Sequence, residues 1–170
     1  MKRAVGIGTI LAGLGLIGYA LLAAESDEER IRARLEQLEE SVALHSEAQN
    51  VAVRSLQLRG GFSEIFEPDV RARIPELGSG RHSRDELVAL AAQSSSYFQN
   101  LDLQFEDLEI RVDDTSRRAS VDSVAVLTAT RRGQAEPRRD ERSVHFDFFN
   151  HEEHGWRIAA VRVREGDEQP

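Results

Sequence analysis

The stretch SVHFDFFNHEEHGWRIAAVRV, residues 143–163, holds two alternating runs on either side of a short polar segment. In the first run Val144, Phe146 and Phe148 alternate with Ser143, His145 and Asp147, so these three apolar side chains fall on one face of a strand. Trp156 opens the second run, and Gly155 before it supplies the permissive backbone that a tight hairpin needs. The intervening NHEEHG holds two histidines and two glutamates, and invites comparison with the H-E-x-x-H zinc motif. That motif needs histidines four apart on one helical face. His151 and His154 are three apart between two strands, so the segment reads as a turn that sets register, and no metal site is expected.

Upstream of this hairpin the period of two continues. LDLQFEDLEIRV, from Leu101, alternates, slips near Glu106-Asp107 as a bulge would, and resumes at Leu108, Ile110 and Val112. A DDTS turn leads to RRASVDSVAVLTATRR, a long strand, and RGQAEPRRDE forms a second turn before SVHFDFFN. The N-terminal half is helical. Ser26-x-x-Glu29 is a capping box, followed by Ile31, Leu35, Leu38, Val42 and His45 as one narrow stripe. Ser46-x-x-Gln49 reads as a second cap, for a helix carrying Val51, Leu56 and Leu58 that Gly60-Gly61 stops. FEPDVRARIP then alternates Val70, Ala72 and Ile74 with Arg71 and Arg73, a strand with one dry face. Ser83-x-x-Glu86 caps a third helix through Leu87, Leu90 and Ala91 toward Tyr97-Phe98. Helices, one strand, a helix and four long hairpin-linked strands make an α+β domain with a curved antiparallel sheet wrapped around the helices.

Composition narrows the chemistry. The 170 residues allow one domain and an appendage. The net charge is −8, and −10 once Lys2 and Arg3 are set aside, which argues against nucleic-acid binding. Lys2 is the single lysine beside 21 arginines, so the domain has no amine for Schiff-base or pyridoxal chemistry. Without cysteine there are no thiol nucleophiles, disulfides or Cys-ligated zinc. No cofactor motif is present.

From Ala4 to Ala24 the chain carries no charge, and those 21 residues would span roughly 31 Å as a helix. Lys2 and Arg3 precede them and ESDEE follows, so residues 1–25 read as a signal anchor with a cytoplasmic N-terminus. The expected organisation is an anchor over 1–25, a domain over 26–164 outside the cytoplasm, and a disordered tail over 165–170. The setting is a bacterial inner membrane crossed once. Cleavage as a signal peptide is the alternative, giving a secreted or periplasmic domain, although Ala24-Glu25-Ser26 is a mediocre cleavage site.

FEPDVRARIP, the capped SRDEL and the closing VHFDFFNHEEHGWRIAAVRV together resemble the nuclear transport factor 2-like superfamily, which includes ketosteroid isomerases and SnoaL-like cyclases. The resemblance covers about residues 27–164. It implies a cone with a cavity between helices and sheet, and a sheet-to-sheet homodimer. The superfamily's isomerases place a general-base Asp before the Pro of the first strand and an acidic donor before a late H-F pair. The matching residues here are Ile74 and Val144, which can neither take nor donate a proton. His45, Ile74, Tyr97, Val144 and Phe146 are the expected cavity residues, and His45 is the sole candidate base. The leading reading is a module that binds a small apolar ligand or an envelope protein. An isomerase, cyclase or dehydratase with a different residue set is one alternative. A scaffold subunit is the other, since inner-membrane scaffolds of type IV secretion machines share the layout of one span and one such domain. His145 and Asp147 read as an outward-facing pair, and the arginines of RRGQAEPRRDER as a solvated hairpin tip.

Overall fold

Helix α1, Asp27–Val42, starts at a reciprocal capping box. The Glu29 N–H donates to Ser26 Oγ at 3.2 Å and the Ser26 N–H donates to Glu29 Oε2 at 2.8 Å. The structure, a computed structural model, describes residues 25–45, 50–75 and 78–165. The anchor segment, Ser46–Gln49 and the tail beyond residue 165 lie outside those residues. Among the described residues no helix is long and apolar enough to cross a membrane.

Helix α2, Val51–Ile65, takes its N-cap from Asn50, whose side chain accepts from the Ala52 N–H at 2.8 Å. Expected to stop at Gly60-Gly61, it instead continues through both glycines, and its buried face is Arg54, Leu58, Phe62 and Ile65. Two glycines weaken a helix by about 1 kcal/mol each, but burying Phe62 and Ile65 more than offsets that. Of the three apolar residues expected on this helix, Leu58 is buried, while Val51 is 38 % and Leu56 69 % exposed. Arg54, unremarkable in the sequence, is buried and donates from Nη2 to the carbonyls of Ser41 at 2.6 Å and Ala43 at 3.1 Å, closing the end of α1.

Strand β1, Phe66–Ile74, is followed by β2, Gly78–Ser83, then by α3, Arg84–Tyr97, which opens at the Ser83–Glu86 capping box. Strands β3 (Phe98–Val112), β4 (Arg118–Arg131), β5 (Arg138–His151) and β6 (Gly155–Glu165) complete one six-stranded sheet in the order β2-β1-β6-β5-β4-β3. Two expectations need correction. The sheet is mixed, because β1 runs parallel to β6 while every other pair is antiparallel. It also has a strand more than the sequence pattern suggests. GSGRHS carries no apolar alternation, and it is held as an edge strand by its ladder to β1.

The slip at Glu106–Asp107 is a bulge in which Asp107 has φ 54°, and a second irregularity lies on β6 at Ala159, opposite Asp147 and Phe148 of β5. Such bulges bend a sheet, and here they curve it around the helices. Its concave face presents Val121, Val144, Phe146, Phe148 and Ile158 to Ile31, Leu35 and Leu38 of α1 and to Leu58, Phe62 and Ile65 of α2. Trp156, Phe146 and Phe148 are at most 2 % exposed, and each contributes about 1.5–3 kcal/mol by burial. Trp156 Nε1 donates to Asp27 Oδ1 at 3.0 Å, tying the first turn of α1 to the start of β6.

The adjacent glycines of α2 make a paired test. A Cβ at Gly60 meets nothing within 4 Å, whereas a Cβ at Gly61 lies 2.7 Å from Ser41 Oγ. Gly60→Ala therefore raises stability by about 0.5–1 kcal/mol. Gly61→Ala falls short of that gain, and adding Ser41→Ala restores it. Thermal denaturation of the four proteins checks the series, and equal melting shifts for both single glycine variants would contradict the close approach of α1 and α2.

Candidate functional site

Beyond Leu38 the helices and the sheet diverge around a cavity of about 320 Å³. Seventeen residues line it, and every one is apolar. Phe62, Phe66, Val70, Val144 and Phe146 are buried and form its floor, while the less buried Ile74, Leu90, Leu103 and Val163 form its rim. Alanines stand where larger side chains would fill the space: Ala72 on β1, Ala91 on α3 and Ala125 on β4. The volume falls at the lower end of the range for small-molecule pockets.

Of the five residues expected at the cavity, Ile74, Val144 and Phe146 line it. Phe146 meets Phe105 edge to face at 5.3 Å. His45 and Tyr97 stand elsewhere. Helix α1 ends at Val42, and Leu44 then pairs with Leu101 through two backbone hydrogen bonds of 2.8 and 3.1 Å. His45 follows that bridge on the exterior, so the helical stripe does not extend to it. Tyr97 is the last residue of α3 and is 65 % exposed. Among the described residues, then, the cavity is lined by no side chain able to act as acid, base or oxyanion donor.

The nearest carboxylate of note is Glu39, which sequence periodicity leaves on the wet side of α1. Its Oε1 accepts from the Phe105 N–H at 2.6 Å, behind the cavity wall. Burial pushes this carboxyl above its ordinary range, and the charges of Glu36, Asp102 and Glu40 add to the effect, while the hydrogen bond from Phe105 opposes it. That amide is free because β3 is an edge strand: Phe105, like Leu101, turns its N–H away from β4.

The opposite face of the sheet is polar. His145 Nδ1 lies 2.6 Å from Asp122 Oδ1, and His145 Nε2 lies 3.2 Å from Asp147 Oδ1. Arg111 joins Asp122 at 2.7 Å and Glu109 at 2.6 Å, and Arg162 joins Asp147 at 3.3 Å. The hydrogen bond from His145 holds the Asp122 carboxyl below its usual range, and Arg111 adds to it. The expected His145–Asp147 pair is thus part of a charged ladder across β3, β4, β5 and β6. In the NHEEHGW turn, Gly155 has φ 67° and His151 Nε2 sits 2.7 Å from Glu67 Oε1. Among the described residues no group of three or more such side chains is placed to hold a metal. At the β4–β5 tip Arg139 meets Glu141, Arg142 meets Asp140, and Arg132 donates to the Ser95 carbonyl.

No protein-family model matches the sequence, and no curated protein matches it. Solved structures do. A nuclear transport factor 2-like superfamily protein from Salmonella enterica serovar Typhimurium aligns over 85 % of this chain and 94 % of its own, with a TM-score of 0.66 at 15 % identity. The fold is nuclear transport factor 2-like. A protein of that fold from Novosphingobium aromaticivorans covers 98 % of this chain and 94 % of its own, with a TM-score of 0.63 at 13 % identity. A candidate scytalone dehydratase from the same organism covers 80 % and 81 %, with a TM-score of 0.62 at 10 % identity. At these identities the likeness establishes the architecture, and function must rest on this chain's nuclear transport factor 2-like cavity itself.

Glu39 yields a pH-dependent prediction. With its folded-state pKa raised, ionisation of this carboxyl costs stability. The penalty is absent at pH values below the ordinary carboxylate range and grows as pH rises through the raised value. Glu39→Gln keeps an oxygen acceptor for Phe105 and removes the charge. The variant should melt above wild type at neutral pH and converge with it in acid. Melting curves from pH 3 to pH 8 that stayed parallel would refute this account.

Proposed function

We propose that the domain is a non-catalytic module that binds a small apolar ligand in the cavity between α1, α3 and the sheet, held outside the cytoplasm by a membrane anchor over residues 4–24. The observation that carries the ligand reading is the wholly apolar lining of a cavity of about 320 Å³. Enclosing apolar surface is its main source of affinity, at about 25 cal/mol per Å² removed from water, and backbone groups at the rim would orient any polar end. The same lining counts against acid–base turnover, which needs a titratable group within reach of the reacting atom. The anchor reading rests on the uncharged run from Ala4 to Ala24 and the cations before it. A scaffold role would need the same anchor but would not need an open cavity.

An environment-sensitive probe such as 1-N-phenylnaphthylamine should gain fluorescence on binding the purified protein. Ala125→Phe and Ala91→Phe, which fill the cavity from the sheet and from the helix, should each abolish most of that gain. Circular dichroism establishes that the variants remain folded. Probe binding unchanged in both folded variants would sink the ligand reading and leave a scaffold role. Topology has its own check: protease added to spheroplasts should digest the domain, and full protection would overturn the anchor reading.

A further inference from the structure

Behind the apolar cavity, on the other face of β1 and β6, lies a second depression of about 430 Å³. Arg71, Arg73, Arg81 and Arg162 line it, with Ser79 and Gly80 of β2 and a single acid, Asp147. Strand alternation explains the placement. Val70, Ala72 and Ile74 turn inward, so Arg71 and Arg73 turn outward. The register then sets Arg71 directly opposite Arg81, and Arg73 directly opposite Arg162.

Like charges facing each other across neighbouring strands destabilise a sheet. Here two such pairs lie side by side in a protein of net charge −8. Arg162 is engaged by Asp147, which also meets His145. Among the described residues no carboxylate lies within ion-pair distance of Arg71, Arg73 or Arg81. Among the described residues the groove thus gathers three guanidinium groups without an acid beside them in one concave patch, whereas Arg111, Arg139 and Arg142 elsewhere on the sheet each have one.

We propose that this groove is a binding site for a phosphate-type dianion, either free or as a phosphomonoester. Planar guanidinium forks match the oxygens of such a group two at a time. The anion would face both like-charge pairs at once and offset two of their charges, where a single carboxylate offsets one. The positive patch is also short. It ends at Asp147 on β5 and Asp122 on β4, so it suits a compact anion better than a long acidic polypeptide. Strand β2 is the edge of the sheet and sets the small Ser79 opposite Arg73, so the groove is open on that side to an approaching ligand.

The test is isothermal titration of the full chain in detergent at fixed ionic strength, with three probes: inorganic phosphate, short-chain phosphatidic acid and a polyglutamate peptide. Arg71→Gln/Arg81→Gln removes one like-charge pair, so it should fold at least as stably as wild type while binding phosphate roughly ten- to hundred-fold more weakly. Arg117→Gln/Arg138→Gln makes the same change in charge at exposed positions outside the groove and should bind as wild type. If the single variant Arg81→Gln also weakens phosphate, the site is the groove and not a global effect of the double change. Groove-dependent binding of phosphatidic acid alone supports the same chemistry with a lipid source. The proposal is overturned by absence of binding for both phosphate probes, by equal losses in the groove and control variants, or by binding of polyglutamate alone.

Discussion

The dry face shared by β5 and β6 must be covered, and α1 is its cover. Ile31 and Leu35 lie over Phe146, Phe148 and Ile158, and none of these five is more than 2 % exposed. Trp156 brings one obligatory polar atom into that contact, and a buried indole N–H without a partner is costly. Asp27 supplies the partner from the first turn of the helix. The remaining architecture follows from keeping this contact closed along the whole helix. Bulges bend the long strands, α2 and α3 fill the concavity, and the space left beyond Leu38 stays open because Ala72, Ala91 and Ala125 are too small to occupy it.

Two strands separate the two depressions. Ala72 and Val161 line both the apolar cavity and the arginine groove, so β1 and β6 act as a thin wall with opposite chemistry on its sides. The inner side gains from excluding water. The outer side carries like-charge arginine pairs and, among the described residues, one ion pair, Arg162 with Asp147, of modest worth in high dielectric. Its charge pattern therefore says little about stability and more about what the surface meets.

How far this was legible in the sequence depended on whether one face had to be dry. The alternation in VHFDFFN placed Val144 and Phe146 inside and His145 outside, since a period of two leaves little freedom once a core exists. Capping boxes at Ser26 and Ser83 marked helix starts because their chemistry is local. The end of α2 was hidden, because Gly60-Gly61 signals a stop locally while the tertiary contacts of Phe62 and Ile65 carry the helix on. Strand β2 was hidden for a related reason: GSGRHS has no pattern of its own and borrows its conformation from β1. His45 fits the helical stripe by spacing, yet the chain leaves the helix three residues earlier to pair Leu44 with Leu101. The arginine groove could not be read at all, since it joins β1, β2 and β6 through a parallel register that no short window contains.

The hydrogen bond between Trp156 and Asp27 also sets the polarity of the molecule. It fixes the start of the domain at one end of β6, while Val163 on the cavity rim lies seven residues further along that strand, about 23 Å away. The first turn of α1 therefore sits at the closed end of the cone, and the mouth looks the other way. Tethering the protein ahead of Ser26, to a bead, a sensor chip or a carrier domain, leaves the route into the cavity unobstructed.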